Sequence, residues 1–163
     1  LLAAHVERMG REATILHRSA LSAQTNNGTF FAPTLVEIDS IDVLQREVFG
    51  PILHVLRYRG KDLKKTIDAI NATGYGLTMG LHIRIDMRAQ KIAELSGAGN
   101  FYVNRNMIGA VVGVQPFGGR GLSGTGPKAG GPYYLPRFGT EFTVSNNISA
   151  VGGNATLLSL DTD

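Results

Sequence analysis

Two stretches of this chain hold side chains and backbone in arrangements suited to chemistry. The first is Glu47-Val48-Phe49-Gly50-Pro51, a carboxylate and an aromatic ring two residues apart at a Gly-Pro turn. A carboxylate there can accept hydrogen bonds from sugar hydroxyls, and the ring can stack on a flat ligand. The same five residues also read as a plain loop before a strand, with Glu47 solvated and Phe49 in a core. The second stretch runs from Gly97 to Gly131 and holds eleven glycines in 35 residues. Hydrophobic and single polar residues are threaded between them, so flexibility alone explains the run poorly. Glycine at this density lets other atoms approach the main chain closely. Within it, Gly109 and Ala110 leave their N–H groups unobstructed, which suits them to hold a carboxylate. Phe117, after Pro116, supplies a rigid aromatic wall. A glycine-rich structural crossover is the alternative. No Gly-x-Gly-x-x-Gly follows a strand, and no Gly-x-x-x-x-Gly-Lys-Ser/Thr is present, so a phosphate cradle is not supported.

Other chemistries are excluded by what the chain lacks. It has no cysteine, hence no disulfide, thiolate metal site or cysteine nucleophile of its own. The four histidines, His5, His17, His54 and His82, have no ligand-like spacing, and no metal is expected. Ser123 lacks the Ser-His-Asp surroundings that activate a serine. Sixteen Lys and Arg against thirteen Asp and Glu give a net charge of +3, spread along the chain without interleaved aromatics. That pattern argues against nucleic-acid binding. No apolar run approaches the ~18 residues of a membrane span. The opening LLAAHVERMGRE has no basic n-region of a signal peptide, so a cytoplasmic location is expected. It also starts on Leu1 inside an amphipathic pattern, which reads as a piece cut from a longer chain.

The elements that must position these residues alternate between strand and helix. Residues 1–11 read as helix, with Leu2, Val6 and Met9 on one face. Residues 13–17 read as a short buried strand. Phe30-Phe31-Ala32 and Thr34–Ile38 read as two strand pieces split by Pro33, and 52–58 as a strand launched by Pro51. Residues 62–71 place Leu63, Ile67 and Ile70 at helical spacing, stopped by Gly74 and Gly76. A strand over 78–83, a helix capped by Asp86 and ended by Gly97, and a strand over 100–104 lead into the glycine-rich run. Residues 141–148 alternate like a pairing strand. Repeated βα units of this kind predict an α/β domain with a largely parallel sheet and flanking helices.

In order along the chain, GTFFAPTLV (28–36), EVFGPIL (47–53), NATGYGLTMGLHIRID (71–86) and GNFYVNRNMIGAVVGVQPFGGRGLSGTGPKAGGP (99–132) resemble the aldehyde dehydrogenase superfamily. The block from Asn104 to Pro132 is similar to the glutamate-semialdehyde (Δ1-pyrroline-5-carboxylate) dehydrogenases, especially the dehydrogenase module of bacterial bifunctional proline-utilisation proteins. The resemblance implies a fragment of the aldehyde dehydrogenase catalytic domain over residues 1–140. It implies an oligomerisation strand and tail over residues 141–163. Glu47 would hydrogen-bond the nicotinamide ribose of NAD, Phe49 would pack near the nicotinamide, and Leu77 would help wall its pocket. Gly109 and Ala110 would bind the substrate's α-carboxylate through backbone amides, and Phe117 would line the aldehyde tunnel. The strand near 143–148 would join the flap through which such proteins form homo-oligomers.

The family's reaction starts with a cysteine thiolate attacking the aldehyde, followed by hydride transfer to NAD and release of the acid by an activated water. In the family the cysteine, the general-base glutamate and the Rossmann half lie upstream of the matched region. No catalytic residue is therefore assigned here, and the chain is expected to be inactive by itself. Its partners would be a small aldehyde substrate and the rest of a parent polypeptide. FAD would belong only to a separate proline dehydrogenase domain of that parent. A general aldehyde dehydrogenase and a non-catalytic assembly module with the same fold are the other readings.

Overall fold

The computed structural model describes residues 1–111 and 113–147. Among the described residues three helices and seven strands follow one another: α1 (Leu2–Glu12), β1 (Thr14–Arg18), β2 (Thr34–Ile38), β3 (Ile52–Leu56), α2 (Leu63–Ala72), β4 (Tyr75–Gly76), β5 (Thr78–Leu81), α3 (Asp86–Leu95), β6 (Asn100–Val103) and β7 (Arg120–Gly121). Short 3-10 turns fill the connections, among them Ile41–Val43 before the Glu47 loop.

β2 is the centre of the first layer. It pairs antiparallel with β1 and parallel with β3, in register from Thr34 opposite Ile52 to Ile38 opposite Leu56. Its burial alternates strictly, with Thr34, Val36 and Ile38 buried. A two-residue side-chain period sends those three to one face. There Val36 and Ile38 meet Met9 of α1, with Val43, Leu44, Ile52 and Leu56 packed around them. Met9 and Val36 are fully buried and anchor this small core. The i,i+4 pairs Arg8–Glu12 (2.6 Å) and Glu7–Arg11 (2.7 Å) run along α1, and the Arg8 guanidinium also donates to the Val43 carbonyl at 3.1 Å.

A second group of elements carries the glycine-rich run. β5 and β6 pair in parallel, Thr78 opposite Asn100 through Leu81 opposite Val103. α2 and α3 each bury one face, through Ile67 and through Ala89 with Ile92. Asn71, near the end of α2, fastens the end of α3: its amide donates to the Leu95 carbonyl and accepts from the Gly97 N–H, both at 2.8 Å. β6 stops at Asn104, which has a φ of 54°. Its side chain bonds both the N–H and the carbonyl of Ile83, so this strand-ending polar residue has a structural task. The run then returns, and β7 pairs antiparallel with β4.

The α/β class holds, with parallel pairing in β2–β3 and β5–β6 and antiparallel pairing at β1–β2 and β4–β7. Several expectations need correction. Residues 30–32 form no strand: Phe30 is exposed, and the Arg18 guanidinium stands over the Phe31 ring at 5.7 Å. Apolar composition without a neighbouring ladder does not make a strand. β1 exists but is exposed at every position, while the small core forms between Met9 of α1 and Val36 and Ile38 of β2. Asp86 is the first residue of α3, not its cap; Ile85 holds that position, with no side-chain cap bond. Phe49 is 88% exposed, which removes the core reading. Residues 141–147 are exposed and carry no strand, and the rest of the expected terminal strand and tail lies outside the described residues.

Candidate functional site

A cleft of about 410 Å³ lies between the two groups of elements, its walls including Glu47, His54, Asn71, Tyr75, Leu77 and Ser123. Two of the six site residues expected from sequence, Glu47 and Leu77, come together there. The Glu47 loop enters from the turn before β3, and its backbone N–H donates to the Tyr75 hydroxyl at 3.4 Å. Among the described residues no salt bridge occupies the Glu47 carboxylate. It stands exposed, free to accept from a ligand. Leu77 follows β4, and its carbonyl accepts the Asn100 N–H at 3.1 Å while the preceding Gly76 carbonyl accepts that of Gly99 at 2.8 Å. With its backbone held, Leu77 presents a side chain that is 42% exposed. The Ser123 hydroxyl accepts the Gly76 N–H at 3.2 Å, a structural use in keeping with its lack of catalytic partners.

Two histidines also line the cleft. His5 of α1 and His54 of β3 meet Nε2 to Nε2 at 2.9 Å, rings edge to face. Both titrate below the ordinary 6.5. Burial is the main cause for each; Arg8 and Arg46 add to it at His5, while Glu12 opposes, and His5 with Arg8 adds to it at His54. Neutral rings suit a hydrogen bond in which one nitrogen donates and the other accepts. The cleft is thus lined by two histidines that favour the neutral form as well as by the exposed Glu47 carboxylate.

The other four expected residues lie elsewhere. Phe49 projects into solvent two residues beyond Glu47 and does not line the cleft. Gly109 and Ala110 sit half-buried in the loop between β6 and β7, and a Cβ added at Gly109 would meet no atom within 4 Å. That open space is what a backbone ligand site requires. Phe117 is half-buried and pinned by reciprocal hydrogen bonds with Ala129, each 3.0 Å. The loop's apolar side chains Ile108 and Val114 stand well out into solvent.

Three residues of this region carry no signal in the sequence reading. Tyr75 sits between two glycines read only as a helix stop, yet it both walls the cleft and bonds the Glu47 loop. Asn71 reads as the tail of a helix. Asn100 reads as the first residue of a strand, yet its side chain bonds the loop around Phe117. Long-range side-chain to backbone bonds of this kind leave no local pattern. An asparagine directly after a glycine, as at 99–100, is the available hint.

A family model described as "Aldehyde dehydrogenase family" matches residues 2–144. "Bifunctional protein PutA" of Rhizobium meliloti is 54% identical over 154 residues, covering 94% of this chain and 13% of that protein. A crystal structure of a variant of Bradyrhizobium japonicum proline utilization A superposes with a TM-score of 0.82 at 55% identity, covering 91% of this chain and 15% of that one. The Thermus 1-pyrroline-5-carboxylate dehydrogenase with bound NAD superposes with a TM-score of 0.73 at 36% identity, covering 83% of this chain and 26% of that one. The chain thus spans about an eighth of the Rhizobium protein that it matches. Among the described residues no helix is long and apolar enough to cross a membrane.

Proposed function

Because the chain belongs to the aldehyde dehydrogenase family, we propose that it is the C-terminal part of an NAD-dependent L-glutamate γ-semialdehyde dehydrogenase of a bifunctional proline-catabolic protein. The observation that carries this reading is the 54% identity to a bifunctional PutA over 94% of the chain. The whole enzyme would convert L-glutamate γ-semialdehyde, NAD+ and water to L-glutamate, NADH and two protons in the cytoplasm.

The residues present fit one end of a dinucleotide. The cleft falls within the ~300–1,000 Å³ usual for ligand pockets, and the exposed Glu47 carboxylate matches the two hydroxyls of a ribose. NAD+, when bound, accepts the hydride. Glu47 would hold the ribose, Leu77 would help wall the nicotinamide pocket, and Phe49 would pack near the same ring. Gly109 and Ala110 take the substrate carboxylate on their N–H groups, and Phe117 packs against its aliphatic part. The thiolate and the base belong to the remainder of the parent polypeptide, along with any FAD domain. The segment beyond residue 141 joins copies of the enzyme. The chain alone therefore forms part of a site and completes no turnover.

The test is NADH production by the full parent enzyme with glutamate semialdehyde and with uncharged aldehydes, this chain alone serving as control. Selective oxidation of the semialdehyde by the parent, with none by the chain, is the expected result. Equal rates on all aldehydes overturn the substrate reading. A parent without activity on any of them makes this an assembly module.

A further inference from the structure

We propose that Asn100 is a positioning residue for the aldehyde site, setting the Phe117 ring by holding the backbone on both sides of it. The inference rests on the role given to Phe117 above. Asn100 opens β6 and is only 8% exposed. Its Nδ2 donates to the Pro116 carbonyl at 3.0 Å, and its Oδ1 accepts the Gly118 N–H at 3.1 Å. Pro116 and Gly118 are the two neighbours of Phe117. Phe117's own N–H and carbonyl are both taken by Ala129. One side chain and one facing residue thus fix three consecutive backbone units, and a side-chain rotamer follows the backbone that carries it.

The orientation of the amide is itself secured. Lys128 Nζ lies 3.2 Å from Asn100 Oδ1 and also donates to the Gly99 carbonyl. An ammonium has donors only, so it must face the oxygen, leaving the Nδ2 group for Pro116. No other residue type of this size offers a donor and an acceptor side by side. Aspartate would keep the bonds to Gly118 and Lys128 but lose the donor to Pro116. Leucine would leave both backbone groups unpaired in a half-buried setting, where an unmet partner is costly.

The experiment uses the full parent enzyme with Asn100→Leu, Asn100→Asp, Phe117→Leu and the double variant Asn100→Leu/Phe117→Leu. KM and kcat are measured for glutamate semialdehyde, for propionaldehyde and for NAD+. Asn100→Leu is expected to raise KM for the semialdehyde about tenfold or more, since small displacements near reacting groups are amplified. KM for NAD+ should stay unchanged, and Asn100→Asp should fall between. In the Phe117→Leu background the effect of Asn100→Leu should vanish, because a residue acting through another cannot add to its loss. Fully additive effects, or a uniform loss across all three substrates, overturn the proposal. Should the wild type not prefer the semialdehyde, the functional reading fails alone, and the coupling is read on whichever aldehyde turns over. Independent of turnover, the amide of Gly118, which loses its acceptor, should exchange hydrogen faster in Asn100→Leu and not in Asn100→Asp, which keeps that acceptor; unchanged exchange in Asn100→Leu overturns the positioning role.

Discussion

The His5 and His54 rings share one hydrogen bond, Nε2 to Nε2 at 2.9 Å, that ties α1 to β3 across 49 residues of sequence. Burial holds both rings below the ordinary 6.5, with Arg8 pushing the same way at each and Arg46 at His5. The unfolded chain therefore takes up protons more readily than the folded one. Stability from this contact is complete above 6.5 and is lost as pH falls through 6.5 and on through the folded values. Melting midpoints by circular dichroism between about pH 8 and about pH 5 should show that loss, and His54→Gln should flatten it. Equal slopes in wild type and variant would remove the histidines as the cause.

Glu47 offers a direct probe of the cofactor reading. In the parent enzyme, Glu47→Ala removes an acceptor whose hydrogen bonds are charge-assisted and worth about 1.5–3 kcal/mol. KM for NAD+ should rise by about ten- to a hundredfold. KM for the aldehyde should move little. A KM for NAD+ within twofold of wild type, about 0.4 kcal/mol, would place the ribose elsewhere.

Gly109 separates fold from ligand. Its added Cβ meets open space, so Gly109→Ala should change stability by no more than about 0.5 kcal/mol. The same methyl intrudes where a carboxylate would sit. KM for glutamate semialdehyde should increase about tenfold, a difference of ~1.4 kcal/mol, with simple aldehydes much less affected. If both substrates respond alike, the loop does not anchor the carboxylate.

The open sheet edges predict the behaviour of the chain by itself. Among the described residues β1 and β3 each pair only with β2, and β3 carries Leu53 at 63% exposure. Unpaired, apolar edges recruit other strands. Sedimentation at micromolar concentration should find dimers or larger species, and Leu53→Lys should shift them toward monomer. A cooperatively melting monomer of the unmodified chain would contradict this.

Most elements were legible because each carries its own period. The alternation of 34–38 and the helical spacing of 62–71 needed no neighbour to be read, and both formed within two residues of the expected bounds. Phe30-Phe31-Ala32 failed because a strand needs a ladder, which composition does not encode. β1 was right in kind and wrong in burial for a related reason, since exposure depends on what else packs nearby. At the cleft, Glu47 and Leu77, from two motifs 30 residues apart, both line the walls, while their ligand roles rest on the family resemblance. Tyr75 and Asn100 escaped because their bonds reach 28 and 16 to 18 residues along the chain to backbone groups that look like any others.

Gly99 lies so close to the returning loop that a Cβ there would strike the Gly118 carbonyl and come within 2.9 Å of the Gly119 Cα. Two motifs distant in sequence are thus locked to each other by bare backbone. Neither can drift alone: a side chain gained at 99 would need a compensating retreat of the whole Pro116–Gly119 segment. Gly109, by contrast, presses on nothing in the chain. Attempts to widen the range of accepted aldehydes have room to vary at 109 and almost none at 99. The glycine-rich run is thereby divided into positions closed by the chain's own packing, as at 99, and positions, as at 109, where only a bound ligand would limit a side chain.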